Sequence, residues 1–213
     1  MKIIGISGFA RSGKDLFTTI AQNILQQRGI KTERYALAYE LKSDLKELIW
    51  EKTHIDVFTE KTEEKVIIRP LLVAYGEVMR KFSEGTYWTD LVEKRIEKST
   101  ADIVFVTDIR HDVFQKDECW WLQNKMNGAL IHITKYTVQP TPPNTRVSTQ
   151  KLTKVYDSAP NDQELLNDPK VKARADYKLE WEDYSKTLNG HTLYTHPSIN
   201  QHVTDALAKI NVI

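Results

Sequence analysis

The stretch "IIGISGFARSGKD", residues 3–15, runs from an apolar segment through a glycine-rich turn to a lysine and then a carboxylate. From Gly8 it fits the pattern G-x-x-x-x-G-K-[ST] up to its last position, where Asp15 replaces the hydroxyl residue that ordinarily holds magnesium. The apolar run Ile3, Ile4, Gly5, Ile6 is what a buried parallel strand shows. Behind the motif, Leu16, Ile20, Ile24 and Leu25 recur at helical spacing and Gly29 supplies a stop. Strand, turn and helix in this order wrap backbone N–H groups around a phosphate at a helix N-terminus, with Lys14 reaching the terminal phosphates. The plainer reading is an ordinary glycine turn before a helix. The complete strand–turn–helix context favours the phosphate loop, because a motif counts only in its predicted setting.

Further apolar segments extend the pattern. "TERYAL" (32–37), "ADIVFVTDIR" (101–110) and "ALIHITKY" (129–136) read as strands, and "DYKLEW" (176–181) as a weaker one. The charged amphipathic stretches Glu40–Lys52 and Thr62–Lys98 read as helices. Strands alternating with helices predict an α/β fold, a parallel sheet covered on both faces in three layers. The 213 residues suit one domain, 1–213, with a helical region at 40–98 and an appended lid or insert. That insert is placed at 136–175, where "YTVQPTPPNTRVSTQ" concentrates proline and hydroxyl residues. A loop of such length is usually functional, and a lid that excludes water is its use in phosphoryl transfer.

Composition narrows the class. With 30 basic and 29 acidic residues the net charge is +1, which gives no support for a nucleic-acid or anionic-membrane partner. The single Cys119 excludes an internal disulfide framework and a cysteine zinc cluster. No apolar run has the length of a membrane span, and residues 1–20 have no signal-peptide layout, so the expectation is a soluble cytoplasmic protein. His191 and His196 lie five apart without a ligand-spaced partner set, and so read as loop histidines rather than metal ligands.

Two clusters call for chemistry beyond the loop. In "RPLLVAYGEVMRKFSEGTYW" (69–88), Arg69 and Arg80 could fork phosphate oxygens, and Trp88 could offer a base a stacking face; the alternative is a solvated helix with core aromatics. Asp108 ends the clearest strand, at the sheet edge where ligands of open α/β folds bind, and suits magnesium or substrate; the alternative is a turn carboxylate.

Together these segments resemble a bacteriophage-type deoxynucleoside monophosphate kinase, a P-loop family that makes diphosphates from monophosphates and ATP. The resemblance rests on "SGKD" with Asp15, "LAYELK" (37–42), "RPLLVAYG" followed by "YW", and "VTDIR" with the acidic pair Asp117 and Glu118; it covers residues 1 to about 135. It implies a P-loop NTPase sandwich with ATP and Mg2+ as cofactors and a homodimer as the expected assembly, in a host cell's cytoplasm if phage-encoded. Gly8, Arg11, Ser12, Gly13, Lys14 and Asp15 would bind the ATP phosphates, with Ser12 and Asp15 beside the transferring group. Lys42, Arg69, Gly76, Arg80, Trp88, Asp108 and Arg110 would serve the acceptor. Lys14, Asp15, Arg69 and Asp108 would carry catalysis, and Asp15 and Asp108 the metal. Whether Asp15 acts on metal or acceptor stays open, with the metal role favoured because an acceptor phosphate is already largely ionised at neutral pH. Pro70, Val73 and Glu77 depart from the family's basic, glutamine and threonine positions, and Leu16 shows that the missing hydroxyl has not slipped by one. Two rival readings remain: a P-loop kinase of another small acceptor, and a nucleotide-binding regulatory protein.

Overall fold

The computed structural model describes residues 1–140, 152–159 and 161–213. In chain order the elements are β1 (Lys2–Ser7), α1 (Lys14–Gln26), β2 (Thr32–Ala36), α2 (Leu37–Thr53), α3 (Thr62–Phe82), α4 (Tyr87–Ile96) and β3 (Ile103–Ile109). They continue with α5 (Glu118–Trp120), which runs on as a π-helical turn Trp121–Lys125, then β4 (Ala129–Pro140), β5 (Leu152–Tyr156), α6 (Asp162–Arg174), β6 (Tyr177–Glu182) and α7 (Pro197–Lys209).

β1 pairs in parallel with β3 and β4, β3 with β2, and β4 with β6, which gives the parallel order β2-β3-β1-β4-β6. β1 therefore lies at the centre, and the turn that follows it emerges in the middle of the sheet's C-terminal edge. The strands are apolar on both sides because both faces are covered. Ile4, Ile6, Phe105, Ile131 and Ile133 pack against Phe17, Ile20 and Leu25 of α1 and Val203 and Leu207 of α7. On the other face Ile3, Val104, Val106 and Leu130 meet Trp88, Val92 and Ile96 of α4 and Val171 of α6. Burying each such large side chain contributes about 1.5–3 kcal/mol, so this three-layer core dominates stability. Helices α2 and α3 add a smaller cluster around Leu45, Ile49, Val57 and Ile68. α3 leaves Ile67, Leu71, Val78 and Phe82 exposed. Among the described residues no helix is long and apolar enough to cross a membrane.

Within the insert expected at 136–175, the described residues form regular elements. β4 runs on to Pro140 and pairs antiparallel with β5, and α6 follows. Residues 141–151 and 160 of that region lie outside the described residues. The Lys135 carbonyl accepts from the Asp157 amide at 3.1 Å, and the next carbonyl, that of Tyr136, accepts from the Asp183 amide at 2.8 Å. Successive strand carbonyls point to opposite sides, so β5 and β6 flank β4 on opposite edges.

Candidate phosphate site at the sheet edge

The turn after β1 needs its glycines. Gly8 has φ 126° and Gly13 φ 96°. A Cβ on Gly8 would stand 2.2 Å from the Ile133 carbonyl oxygen, and one on Gly13 would stand 2.4 Å from the ring of Trp181. Arg11, with φ 67°, is a non-glycine residue in the left-handed region. The Trp181 indole N–H donates to the Ser12 carbonyl at 2.9 Å and so holds this part of the loop from β6. The N-cap of α1 is Gly13, so among the described residues no side chain caps the helix, and its first amides suit an anion.

Lys14 lies folded along the loop. Its Nζ donates to the carbonyls of Gly8 at 2.9 Å and Phe9 at 2.8 Å. Burial lowers its pKa from 10.5 to about 8, aided by Arg110 and opposed by Asp108, Glu164 and Asp15. In the unfolded chain the ammonium is unburied, so folding is disfavoured by this group below pH 8 and that cost is relieved between about 8 and 10.5. Phosphate oxygens would raise the pKa again. If the loop takes ATP, binding at pH 9 is therefore expected to take up about one proton that binding at pH 7 does not, and affinity should decline as pH rises above 8. Calorimetry in two buffers of different ionisation enthalpy measures this uptake; equal uptake in wild type and Lys14→Met at pH 9 would exclude Lys14 as its source.

Across the edge, β3 ends in a bulge. Ile6 pairs with Thr107 but Ser7 pairs with Ile109, which leaves Asp108 as the extra residue, at φ 69°. Such a backbone costs about 1 kcal/mol or more, and bulges of this kind re-aim a side chain beside functional sites. Burial acts to raise Asp108's pKa, but Arg110 and Lys14 outweigh it and hold the carboxyl below its usual range, hence ionised. Arg110 Nη2 donates to Asp108 at 3.2 Å. Asp15 stands on the exposed start of α1 and pairs with Arg34 of β2, whose Nη2 also reaches Thr107 Oγ1 at 3.4 Å.

The expected residues divide into two groups. Gly8, Arg11, Ser12, Gly13, Lys14 and Asp15 form the loop and helix start, and Asp108 and Arg110 adjoin Lys14 electrostatically. The residues expected for the acceptor fare differently. Trp88 offers no stacking face: it is 2% exposed, lies against Tyr75 and Tyr87, and donates its indole N–H to the Gly76 carbonyl at 3.3 Å. Gly76 is a packing glycine, since a Cβ there would meet Leu41 at 2.6 Å. Arg80 is committed to two buried carboxylates, Asp117 at 2.7 Å and Glu118 at 2.5 Å. Those carboxylates outweigh its burial and raise its pKa. The same acids accept from the backbone amides of Arg110, His111 and Val113, so Arg80, Asp117 and Glu118 shape the segment that follows Asp108. Lys42 lies 5.5 Å from the centre of the Phe58 ring, and Arg69 stands exposed on α3.

Other groups at this edge had no local sign in the sequence. Glu164 of α6 accepts from the Ala10 amide at 2.8 Å and from Arg110 at 2.7 Å. Beside the loop, a cavity of about 480 Å3 is lined by Phe9, Ser12, Tyr156, Lys172 and the pair His132–Asp168, which is joined at 2.9 Å. The buried Ser12 Oγ has no hydrogen-bond partner among the described residues. His111, pushed down to about 3 by burial with Arg80 and Arg110 nearby, is neutral at physiological pH.

No protein-family model and no curated protein matches the chain. Among solved structures it is similar to shikimate kinase from Aquifex aeolicus, at 13% identity over 97% of this chain and 95% of that one, with a TM-score of 0.40. It is also similar to a sugar kinase from Janibacter sp., at 11% identity over 100% of this chain and 96% of that one, with a TM-score of 0.35. Likeness at this level carries no statement about substrate.

Proposed function

We propose that this chain is a phosphotransferase that moves the γ-phosphoryl group of ATP to a small acceptor, and that the acceptor is a deoxynucleoside monophosphate. The observation that carries the phosphoryl-transfer reading is the loop Gly8–Lys14 at the centre of the sheet edge, with an uncapped helix behind it and the strained, ionised Asp108 beside it. Transfer of this kind needs mainly positioning and charge neutralisation, because the transition state is loose and its charge lies on peripheral oxygens. Loop amides and Lys14 would hold the donor phosphates, and Arg110 would face the group in transit. Asp108, ionised at the bulge, and Asp15, on the exposed start of α1, are the carboxylates that would hold Mg2+, each paired here with an arginine, Arg110 and Arg34; magnesium commonly takes one or two carboxylates with substrate phosphates and water. When bound, the ion would neutralise charge on the phosphate oxygens.

The deoxynucleotide acceptor is supported by the sequence resemblance, with Lys42 and Arg69 as the basic groups left to meet it. The buried Trp88 and committed Arg80 favour a second reading, a P-loop kinase of another small acceptor, because two of the contacts expected for a nucleotide, the stacking face and one arginine fork, are taken up within the fold. Incubation with ATP, magnesium and each deoxynucleoside monophosphate, beside hydroxylated and phosphorylated non-nucleotides, tests both. A diphosphate product is expected. ADP formed only with a non-nucleotide would reassign the acceptor, and no ADP with any would overturn the phosphotransferase reading.

A further inference from the structure

We propose that Glu164 occupies the seat of a phosphoryl oxygen on the loop, and that a bound nucleotide displaces it and takes over Arg110. This rests on the reading that the loop takes ATP. The Glu164 side chain is 12% exposed and all its described contacts are donors. Oε2 accepts from the Ala10 amide at 2.8 Å, and Oε1 accepts from Arg110 Nη1 at 2.7 Å and Asn161 Nδ2 at 3.3 Å. A loop amide, a guanidinium and a neighbouring lysine form the donor set that recognises phosphate, and a carboxylate meets it with two oxygens in place of three.

The contact is held by more than one bond. Asn161 caps α6 by accepting from the Glu164 amide at 2.8 Å, which fixes the residue in the first helical turn. On the same end of α6, Gln163 donates to Glu77 of α3 at 3.3 Å, and Asn167 meets His111 at 3.3 Å. The start of α6 thus bridges the loop, α3 and the segment after β3. A carboxylate and a phosphate repel, so both cannot use one seat. Phosphate binding must therefore move the Glu164 carboxylate aside, and in this proposal the first turns of α6, with the Gln163 and Asn167 contacts, shift with it. Asp108 keeps hold of Arg110 through its other terminal nitrogen, so the guanidinium stays aimed during the exchange. Glu164 is in this sense a positioning residue: it keeps the amide and the guanidinium directed at the seat until a phosphate arrives. The apparent affinity for ATP is lowered by the fraction of molecules in which Glu164 is seated.

Calorimetric titration with ATP alone, without acceptor, compares wild type with Glu164→Gln and Glu164→Ala. If nine-tenths of the free protein has the seat filled, both variants should bind ATP about tenfold more tightly. A second measurement needs no variant: on wild type, ATP should raise amide hydrogen exchange over residues 162–167 while lowering it over the loop. A merely structural role for Glu164 would leave exchange in α6 unchanged or lowered by ATP. ATP binding that is intact in wild type but equal or weaker in both variants, without the rise in α6, overturns the inference and leaves the loop's role standing. Absence of ATP binding by all three proteins overturns both.

Discussion

Lys14→Ala is expected to lose ~10²- to 10³-fold in turnover, the range for removal of one preorganised electrostatic donor, while the protein stays folded. The ammonium lies against the carbonyls of Gly8 and Phe9, inside the concavity that the donor phosphates would fill. Its depressed pKa means that the folded chain bears a desolvation cost to keep it there. Truncation removes that cost, so thermal stability at pH 7 should hold or rise even as activity falls. Steady-state kinetics beside a thermal melt separates the two quantities. A folded variant with a near-normal rate would remove the loop from the chemistry.

Arg80→Met is expected to act in the opposite way, costing about 3–5 kcal/mol of stability, because removing one partner leaves buried charge uncompensated. Asp117 is 0% and Glu118 2% exposed, and the Arg80 side chain bonds both. Urea denaturation measures the loss, and adding Asp117→Asn and Glu118→Gln to Arg80→Met should restore part of it. If the urea midpoint were unchanged and only the acceptor KM rose, Arg80 would be a substrate ligand after all.

The contrast between these residues shows what was legible in the sequence. The β1–loop–α1 unit is local: apolar run, glycines and helical stripe lie within 30 residues, and each dictates its own backbone. β3 and β4 were legible for the same reason, as apolar segments buried on both faces. β5 was not, since its five residues are exposed and become a strand only by pairing with the extension of β4. Arg80 looked like a phosphate fork because its partners Asp117 and Glu118 lie 37 and 38 residues away. Trp88 carried a signal that pointed the other way, for with Val92 and Ile96 it forms a helical stripe whose plain meaning is core. Glu164 could be read as a helix-start residue three places after Asn161, but its reach to Ala10, 154 positions distant, belongs to the tertiary fold alone.

The bond from Trp181 to the Ser12 carbonyl spans 169 residues of chain. During synthesis the loop is made 169 residues before the indole that pins it. At a few to twenty residues per second, that leaves an interval of about 8 to 34 s in which the nascent chain displays the motif without its lock. The folded form of the loop is therefore set only once β6 has been made, and a fragment bearing the glycine-rich segment without β6 lacks the indole contact that shapes it.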